Sequence, residues 1–413
     1  QEKPEYEDFL KAKVCVADRT GFDIDLNDVN PILKEHQKLI VAWACQGGLR
    51  AIFAAFGLGK SVIQLEVIRL CMLRDGCDGL IVLPLGVRQE FTRDAAMLGI
   101  ETKFIRRAEE IEPGKIHLTN YETIRDGKLD PTLFGAVSLD EASILRGFGG
   151  TKTFREFMAT LAGDDKRDMH SRVRTAGVKY RFVATATPSP NEYIELLAYA
   201  AYLGIMDAGQ AKTRFFKRDS TKADKLTLHA HKEQEFWLWV ASWALFVQRP
   251  SDLGCSDDGY TMPELDVRWH EIPADHEHAG EDWNNQLMMF KKHAIGVVES
   301  SREKRESLPH RIDKMLELIA EDPLANRLIW HDLERERYAI EKAIPSSVSV
   351  YGSQDLEARE KAIIDFSNGE FQYLAAKPSI AGSGCNFQRH CHHAIFLGIG
   401  FKFNDFIQAI HRI

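Results

Sequence analysis

The chain has 413 residues, and it lacks any run of about 18 apolar residues, so no membrane-spanning helix is expected. Its opening stretch, QEKPEYEDFL, is acidic and has no apolar core, so it is not expected to be a secretory signal. Cysteine is scarce: seven residues, with neither C-x-x-C nor disulfide-like spacing, a usage that fits reduced thiols in a cytoplasm. A basic excess is absent too, since the formal charge is −8. A protein that coats nucleic acid is normally basic. One that holds nucleic acid in a single groove needs only a local positive field, so the net charge does not exclude it. There is no internal repeat and no low-complexity tract. What remains is ordinary for a soluble globular chain, 44% apolar and 28% charged, long enough for two or three domains with a sizeable core.

From Ile32 onward, short apolar runs alternate with helical patterns. GLIVLPL (Gly79–Leu85), KIHLTNY (Lys115–Tyr121), GAVSLDE (Gly135–Glu141) and YRFVATATP (Tyr180–Pro188) read as buried strands separated by helices. That rhythm predicts an α/β fold built on a doubly wound parallel sheet. Over about 196–250 the strand rhythm stops. EFWLWVASWALFV (Glu235–Val247) spaces its aromatics as a helix does and is expected to form the core of a helical insertion. The rhythm returns at NRLIWHD, SSVSVYG, FQYLAAK and HAIFLGIG, which predicts a second α/β unit. The expected division is an extension over 1–30, a first domain over 31–262, a linker over 263–304 and a second domain over 305–413.

The chemistry-bearing stretch is AAFGLGKSVIQLEVIRL, which follows the apolar run RAIFAAF and opens a helical pattern. Gly57 and Gly59 allow a tight turn whose amides point inward. Lys60 can reach the β- and γ-phosphates of a nucleotide, and Ser61 can hold Mg²⁺. The helix that follows turns its N-terminal dipole towards the phosphates. Ala54 replaces the first glycine of the usual G-x-x-x-x-G-K-[ST] pattern, so this is a variant phosphate loop. A bare G-x-G-K-S is a weak signal; the strand–loop–helix setting strengthens it. A phosphate loop also needs a metal-side carboxylate on a neighbouring strand. AVSLDEASI supplies Asp140, to bind Mg²⁺ through water, and Glu141, to orient and deprotonate the attacking water.

With these residues in order, the chain resembles the superfamily 2 helicases and translocases, in the Swi/Snf-like branch. The resemblance covers most of the chain from Ile32. ILKEHQKLIVAWA is similar to the segment whose glutamine, here Gln37, recognises adenine; GLGKS is similar to motif I and brings Leu58 into the nucleotide site. LIVLPLGVRQEF resembles motif Ia, LTNYETI the next nucleic-acid contact, and DEAS the Asp-Glu-x-x box. RFVATATPSPNEYIELLAYAAYL resembles motif III, RLIWHDLERERYAIEKAI motif IV, and VYGSQDLEAREKAIIDFSNGE, with Arg359, the block after it. AAKPSIAGSGCNF resembles motif V, and FNDFIQAIHRI opens motif VI, which this chain leaves before the family's second arginine. Ser143 and Ser379 depart from the residues usual at their positions.

The resemblance implies two RecA-like domains, ATP and Mg²⁺ as cofactors, and DNA-stimulated ATP hydrolysis coupled to stepping along duplex DNA. It assigns Gln408 and Arg412 to the catalytic set and Gly384 to nucleotide binding. It assigns Pro84, Arg88, Thr119, Asn120, Thr185, Thr187 and Asn386 to nucleic acid. Such contacts go to phosphates and carry no sequence information. The implied setting is the cytoplasm of a bacterial or phage-infected cell, with a methyltransferase, a nuclease or another protein as partner. Two other readings stay open: a nucleotide-gated DNA-binding module with little turnover, and a strand-separating DNA or RNA helicase. The basic stretches Lys166–Arg181 and Lys212–Lys225, the latter with Phe215 and Phe216, suggest added grip on nucleic acid or else solvated helix faces. CNFQRHCHH contains zinc-ligand residue types but no second ligand pair at finger spacing, so no metal is expected there.

Overall fold

The computed structural model describes residues 16–142, 145, 157, 177–189, 192–218, 226–260, 264–272, 304–381, 387–400 and 403–413. The chain divides into two compact units, Gln1–Met262 and Pro263–Ile413. Each is α/β and is built on a parallel sheet.

In the first unit the order is α1 (Glu35–Gly47), β1 (Leu49–Ala54), α2 (Lys60–Asp75), β2 (Gly79–Leu83), α3 (Arg88–Met97), β3 (Thr102–Phe104), β4 (Ile116–Asn120) and α4 (Tyr121–Arg125). Then follow β5 (Ala136–Asp140), β6 (Tyr180–Ala184), α5 (Leu196–Leu203), α6 (Ala208–Phe215), β7 (Phe216–Arg218), β8 (Leu226–Leu228), α7 (Glu233–Trp243) and β9 (Ala244–Val247). Seven strands pair in the order β3-β4-β2-β5-β6-β1-β9, and every pair is parallel. β7 and β8 form a separate antiparallel ribbon.

Strands buried on both faces need apolar residues at every position. Alternate side chains of one strand therefore enter two different cores. Phe53, Val82, Leu139 and Val183 pack with Leu197, Tyr199, Trp239 and Trp243 from α5 and α7. Ile52, Ala54, Ile81, Leu83 and Phe182 pack with Ile40 and Ala44 of α1, Ile63 and Val67 of α2, and Phe91 and Ala95 of α3. The apolar runs quoted above are the visible sign of this two-sided burial.

One expectation is corrected. Glu235–Val247 is not one helix: α7 ends at Trp243, and Ala244–Val247 continues as edge strand β9, paired in parallel with β1. Continuous apolar sequence fits a buried helix or a two-sided strand equally, and the β1 edge takes its last four residues.

The second unit runs α8 (Leu308–Glu321), β10 (Arg327–Trp330), α9 (Glu334–Ala343), β11 (Val348–Val350), α10 (Leu356–Ser367), β12 (Tyr373–Ala376), α11 (Pro378–Ala381), β13 (His393–Phe396) and α12 (Phe403–Ile410). Its four strands pair in the order β11-β12-β10-β13, all parallel. Here too the faces are divided. Leu328, Trp330 and Leu374 pack with Ile363 and Phe366 of α10, while Ile329 and Ala375 pack with Met315 of α8 and Ile340 of α9. Among the described residues no helix is long and apolar enough to cross a membrane.

Candidate nucleotide site

In a parallel sheet the carboxyl ends of the strands are where loops and helix N-termini converge, and ligands bind there. β1 leads at that end into the turn 55–59, and α2 begins at Lys60. Gly57 and Gly59 take φ of 82° and 77°, the left-handed region that glycine enters without strain. At Gly59 space decides as well, because a Cβ there would lie 2.4 Å from Gln37 Nε2. Gln37 is buried, donates to the Leu58 carbonyl at 3.1 Å and accepts from the Lys34 amide at 2.9 Å. The glutamine expected to read adenine thus also fastens α1 to the loop.

Lys60 Nζ donates to the carbonyls of Ala54 and Ala55, at 3.0 and 3.1 Å, and stands 5.2 Å from the centre of the Phe56 ring. The ammonium is therefore held against the end of β1 and the first residues of the turn. Ser61, in the first turn of α2, donates its hydroxyl hydrogen to Asp94 Oδ2 of α3 at 2.5 Å.

Two strands away from β1, β5 ends on Asp140, whose backbone pairs with Ala184 of the intervening β6. Its carboxylate Oδ1 accepts from Gln64 Nε2 at 2.8 Å, and Gln64 Oε1 accepts from Ser138 Oγ at 2.6 Å. All three side chains are buried. Burial pushes the Asp140 carboxyl up to about 6, with the Gln64 hydrogen bond pulling down and the Glu141 charge adding to the rise. Tyr121 OH donates to the Asp140 carbonyl at 2.6 Å and fixes the strand end. Glu141 follows with φ 49°, the one non-glycine positive φ among the described residues. That conformation costs energy in a residue with a Cβ. Glu141 Oε1 accepts from Thr185 Oγ1 at 3.1 Å, and the same Thr185 oxygen accepts from the Thr187 amide at 3.1 Å. The two segments read as the Asp-Glu box and motif III are therefore joined directly. The carboxylates at this strand end and the Ser61 hydroxyl at the start of α2 are hard oxygens, the kind of donor that Mg²⁺ takes.

Other expected residues are placed differently. Thr119 is fully buried and its hydroxyl donates to the Ile105 carbonyl at 2.8 Å, so it holds β4. Asn120 is buried and caps α4, accepting from the Thr123 amide and hydroxyl at 2.9 and 2.5 Å. In this structure both side chains expected at nucleic acid serve the backbone. Thr185 is likewise fully buried and faces Glu141. Pro84 and Arg88 flank the turn into α3, and the Arg88 guanidinium lies 4.5 Å from the Phe104 ring centre. In the basic stretches, Arg181 is buried and donates to the carbonyls of Val178, Tyr202 and Leu203. Phe215 and Phe216 are core residues, and Arg214 pairs with Glu235 at 2.6 Å. Those three do not form a stacking surface.

In the second unit Gln408 and Arg412 are both buried, on and just after α12, and the Arg412 carbonyl accepts from the Phe387 amide at 3.1 Å. Cys391 is buried, its thiol against the carbonyls of Asn326 and His393. Ser143, Gly384, Cys385 and Asn386 lie outside the described residues. Sequence reading missed Asp94, Gln64, Ser138 and Tyr121. A lone glutamine within the apolar helix SVIQLEVI was the available signal for one of them.

No protein-family model matches the chain. Protein p41 of Acyrthosiphon pisum secondary endosymbiont phage 1 is 23% identical over 431 residues, covering 92% of this chain and 88% of p41. Among solved structures, the Sulfolobus solfataricus SWI2/SNF2 ATPase core in complex with dsDNA is similar with a TM-score of 0.45 and 17% identity, over 86% of this chain and 80% of that one. The same core domain alone gives 0.44 and 15%, over 91% and 82%. A single-substitution variant of S. cerevisiae Dbp5 bound to RNA and ADP BeF3 gives 0.48 and 13%, over 92% and 84%.

Proposed function

We propose that the chain is an ATP-hydrolysing motor of the superfamily 2 kind that acts on nucleic acid, with duplex DNA as its track. The observation that carries this reading is the pairing, in one sheet, of a glycine turn bearing Lys60 and Ser61 with a strand end bearing Asp140 and Glu141. The ordered motif resemblance along the rest of the chain supports it.

In this reading the turn 55–59 and the start of α2 bind the phosphates through backbone amides. Lys60 exchanges its two carbonyl partners for phosphate oxygens. Ser61 and Asp140 would hold Mg²⁺, which when bound neutralises charge on the β- and γ-phosphates. Glu141, held by Thr185, orients the attacking water and accepts its proton. Gln37 contributes to adenine recognition from the base of the loop. Gln408 and Arg412 are assigned to turnover, and Pro84, Arg88 and Thr187 to the track, on the motif series. The phage or bacterial setting, and a methyltransferase or nuclease partner, belong to the same proposal.

The test is the ATPase rate of the chain with duplex DNA, single-stranded DNA, RNA or nothing added. Stimulation by duplex DNA is expected, and Lys60→Ala should abolish it. Equal turnover by Lys60→Ala would refute the site. Stimulation by RNA alone would move the track from DNA to RNA, and nucleotide and DNA binding without turnover would favour the gated-module reading.

A further inference from the structure

Resting on that reading, we infer that Asp94 is a positioning residue for the metal. It takes the hydrogen of the Ser61 hydroxyl and thereby leaves the lone pairs of Oγ for Mg²⁺. A serine hydroxyl has one hydrogen and two lone pairs. In this structure that hydrogen goes to Asp94 Oδ2, at 2.5 Å, and none is left for Asp140. The acid at the end of β5 is engaged elsewhere, its Oδ1 held by Gln64, which Ser138 orients in turn. Two acids thus engage α2 in different ways: Asp140 is held by Gln64 from the sheet, and Asp94 fixes the rotation of the Ser61 hydroxyl from α3.

The placement of Asp94 is built. Its side chain is only 14% exposed. Phe91 and Ala95, on either side of it along α3, are buried in the same core as Val62, Ile63 and Leu65 of α2. Asn30 ties the two helices together, its amide donating to Glu66 Oε1 of α2 at 2.8 Å and its side chain to the Leu98 carbonyl at 2.8 Å. α3 therefore cannot slide along α2 without breaking buried packing, and the Ser61–Asp94 distance is held. Arg93 pairs with the other Asp94 oxygen at 3.6 Å, a second contact on the same carboxylate.

The experiment titrates a fluorescent ATP analogue against the 413-residue chain in Mg²⁺ and in EDTA, and measures the Mg²⁺ concentration for half-maximal binding. Loss of a partner that orients a metal ligand typically weakens metal binding by about 10–100-fold. Asp94→Ala should raise the Mg²⁺ half-saturation by about that factor and leave the affinity in EDTA unchanged. Asp94→Asn, whose amide oxygen still accepts from Ser61, should keep most of the unaltered behaviour. In a Ser61→Ala background, Asp94→Ala should add nothing. Unchanged Mg²⁺ half-saturation in Asp94→Ala overturns the inference, as does an equal loss in EDTA. Equal defects in Asp94→Ala and Asp94→Asn also overturn it, because they would mean that charge acts on the metal directly. If Lys60→Ala binds the analogue as tightly as the unaltered chain, the phosphate-loop reading itself falls and this inference with it. A defect confined to Asp94→Ala and dependent on Mg²⁺ upholds both.

Discussion

Asp140 in the first unit and His331 in the second occupy matching places, at the carboxyl end of an interior strand of a parallel sheet. Both are buried, and their surroundings differ. Asp140 has a dedicated donor in Gln64, itself oriented by Ser138. Both ring nitrogens of His331 lack a hydrogen-bond partner among the described residues. Charge is plentiful near His331, from Glu334, Glu336, Arg337 and Lys377, yet those groups are spent on one another. Lys377 and Arg337 both pair with Glu334, and Arg311 pairs with Glu336, whose other oxygen accepts from the Asp332 and Leu333 amides. Buried polar groups are retained at a cost unless they are paired. The first unit chains its buried polar groups to one strand-end carboxylate, and the second uses them to tie helix α9 to its surroundings.

The sharpest way to break this comparison is to remove one partner of the tie. Glu336 is fully buried, and Glu336→Gln leaves the Arg311 charge unmatched. The expected loss is about 3–5 kcal/mol in urea denaturation. A loss below about 1 kcal/mol would mean that the pair does not hold α9.

The next effect is a pH dependence. Burial pushes the His331 imidazole down to about 4 from its ordinary 6.5. The fold therefore favours neutral histidine, and its contribution is complete above about 6.5. It is lost as the pH falls from there towards 4, because the unfolded chain takes up the proton first. The drop should approach about 3 kcal/mol over that window. His331→Leu should flatten it; an unchanged pH profile in that variant would assign the effect to other groups.

In the first unit, Gln64→Leu strips the donor from Asp140 and the acceptor from Ser138, and should cost about 1–3 kcal/mol. Nucleotide affinity should fall with it, which Glu336→Gln should not cause. The smallest expected effect is shared by both units. Asn120→Ala and Asp355→Ala each remove a helix cap and should cost about 1 kcal/mol, with nucleotide affinity intact. If Asn120→Ala weakened DNA binding without loss of stability, its side chain would serve nucleic acid beyond the cap.

The sheets were legible because two-sided burial makes each inner strand a continuous apolar run, as in GLIVL and YRFVA. β3 was not, because Thr102–Phe104 is short and only half-buried. β9 was hidden for the opposite reason, since unbroken apolar sequence carries no period. The phosphate loop could be read because its spacing is local. Asp94 could not: it is one acid among many on a helix, and only packing of α3 on α2 brings it to Ser61. Thr119 and Asn120 have the expected residue types, but which way a polar side chain turns at a strand end depends on neighbours distant in sequence, here Ile105, and on the start of the next helix.

The position of β1 in its sheet also orders events during synthesis. The strand that launches the phosphate loop lies between β6 and β9, with Ile52 beside Ala184 and Leu245. Its neighbours emerge from the ribosome long after it does, so the nascent loop waits with both backbone edges unpaired. Distant pairings of this kind form slowly and leave sticky edges exposed meanwhile. A chain cut just before Ala244 would keep every phosphate-loop residue and still present β1 with one side open to other chains.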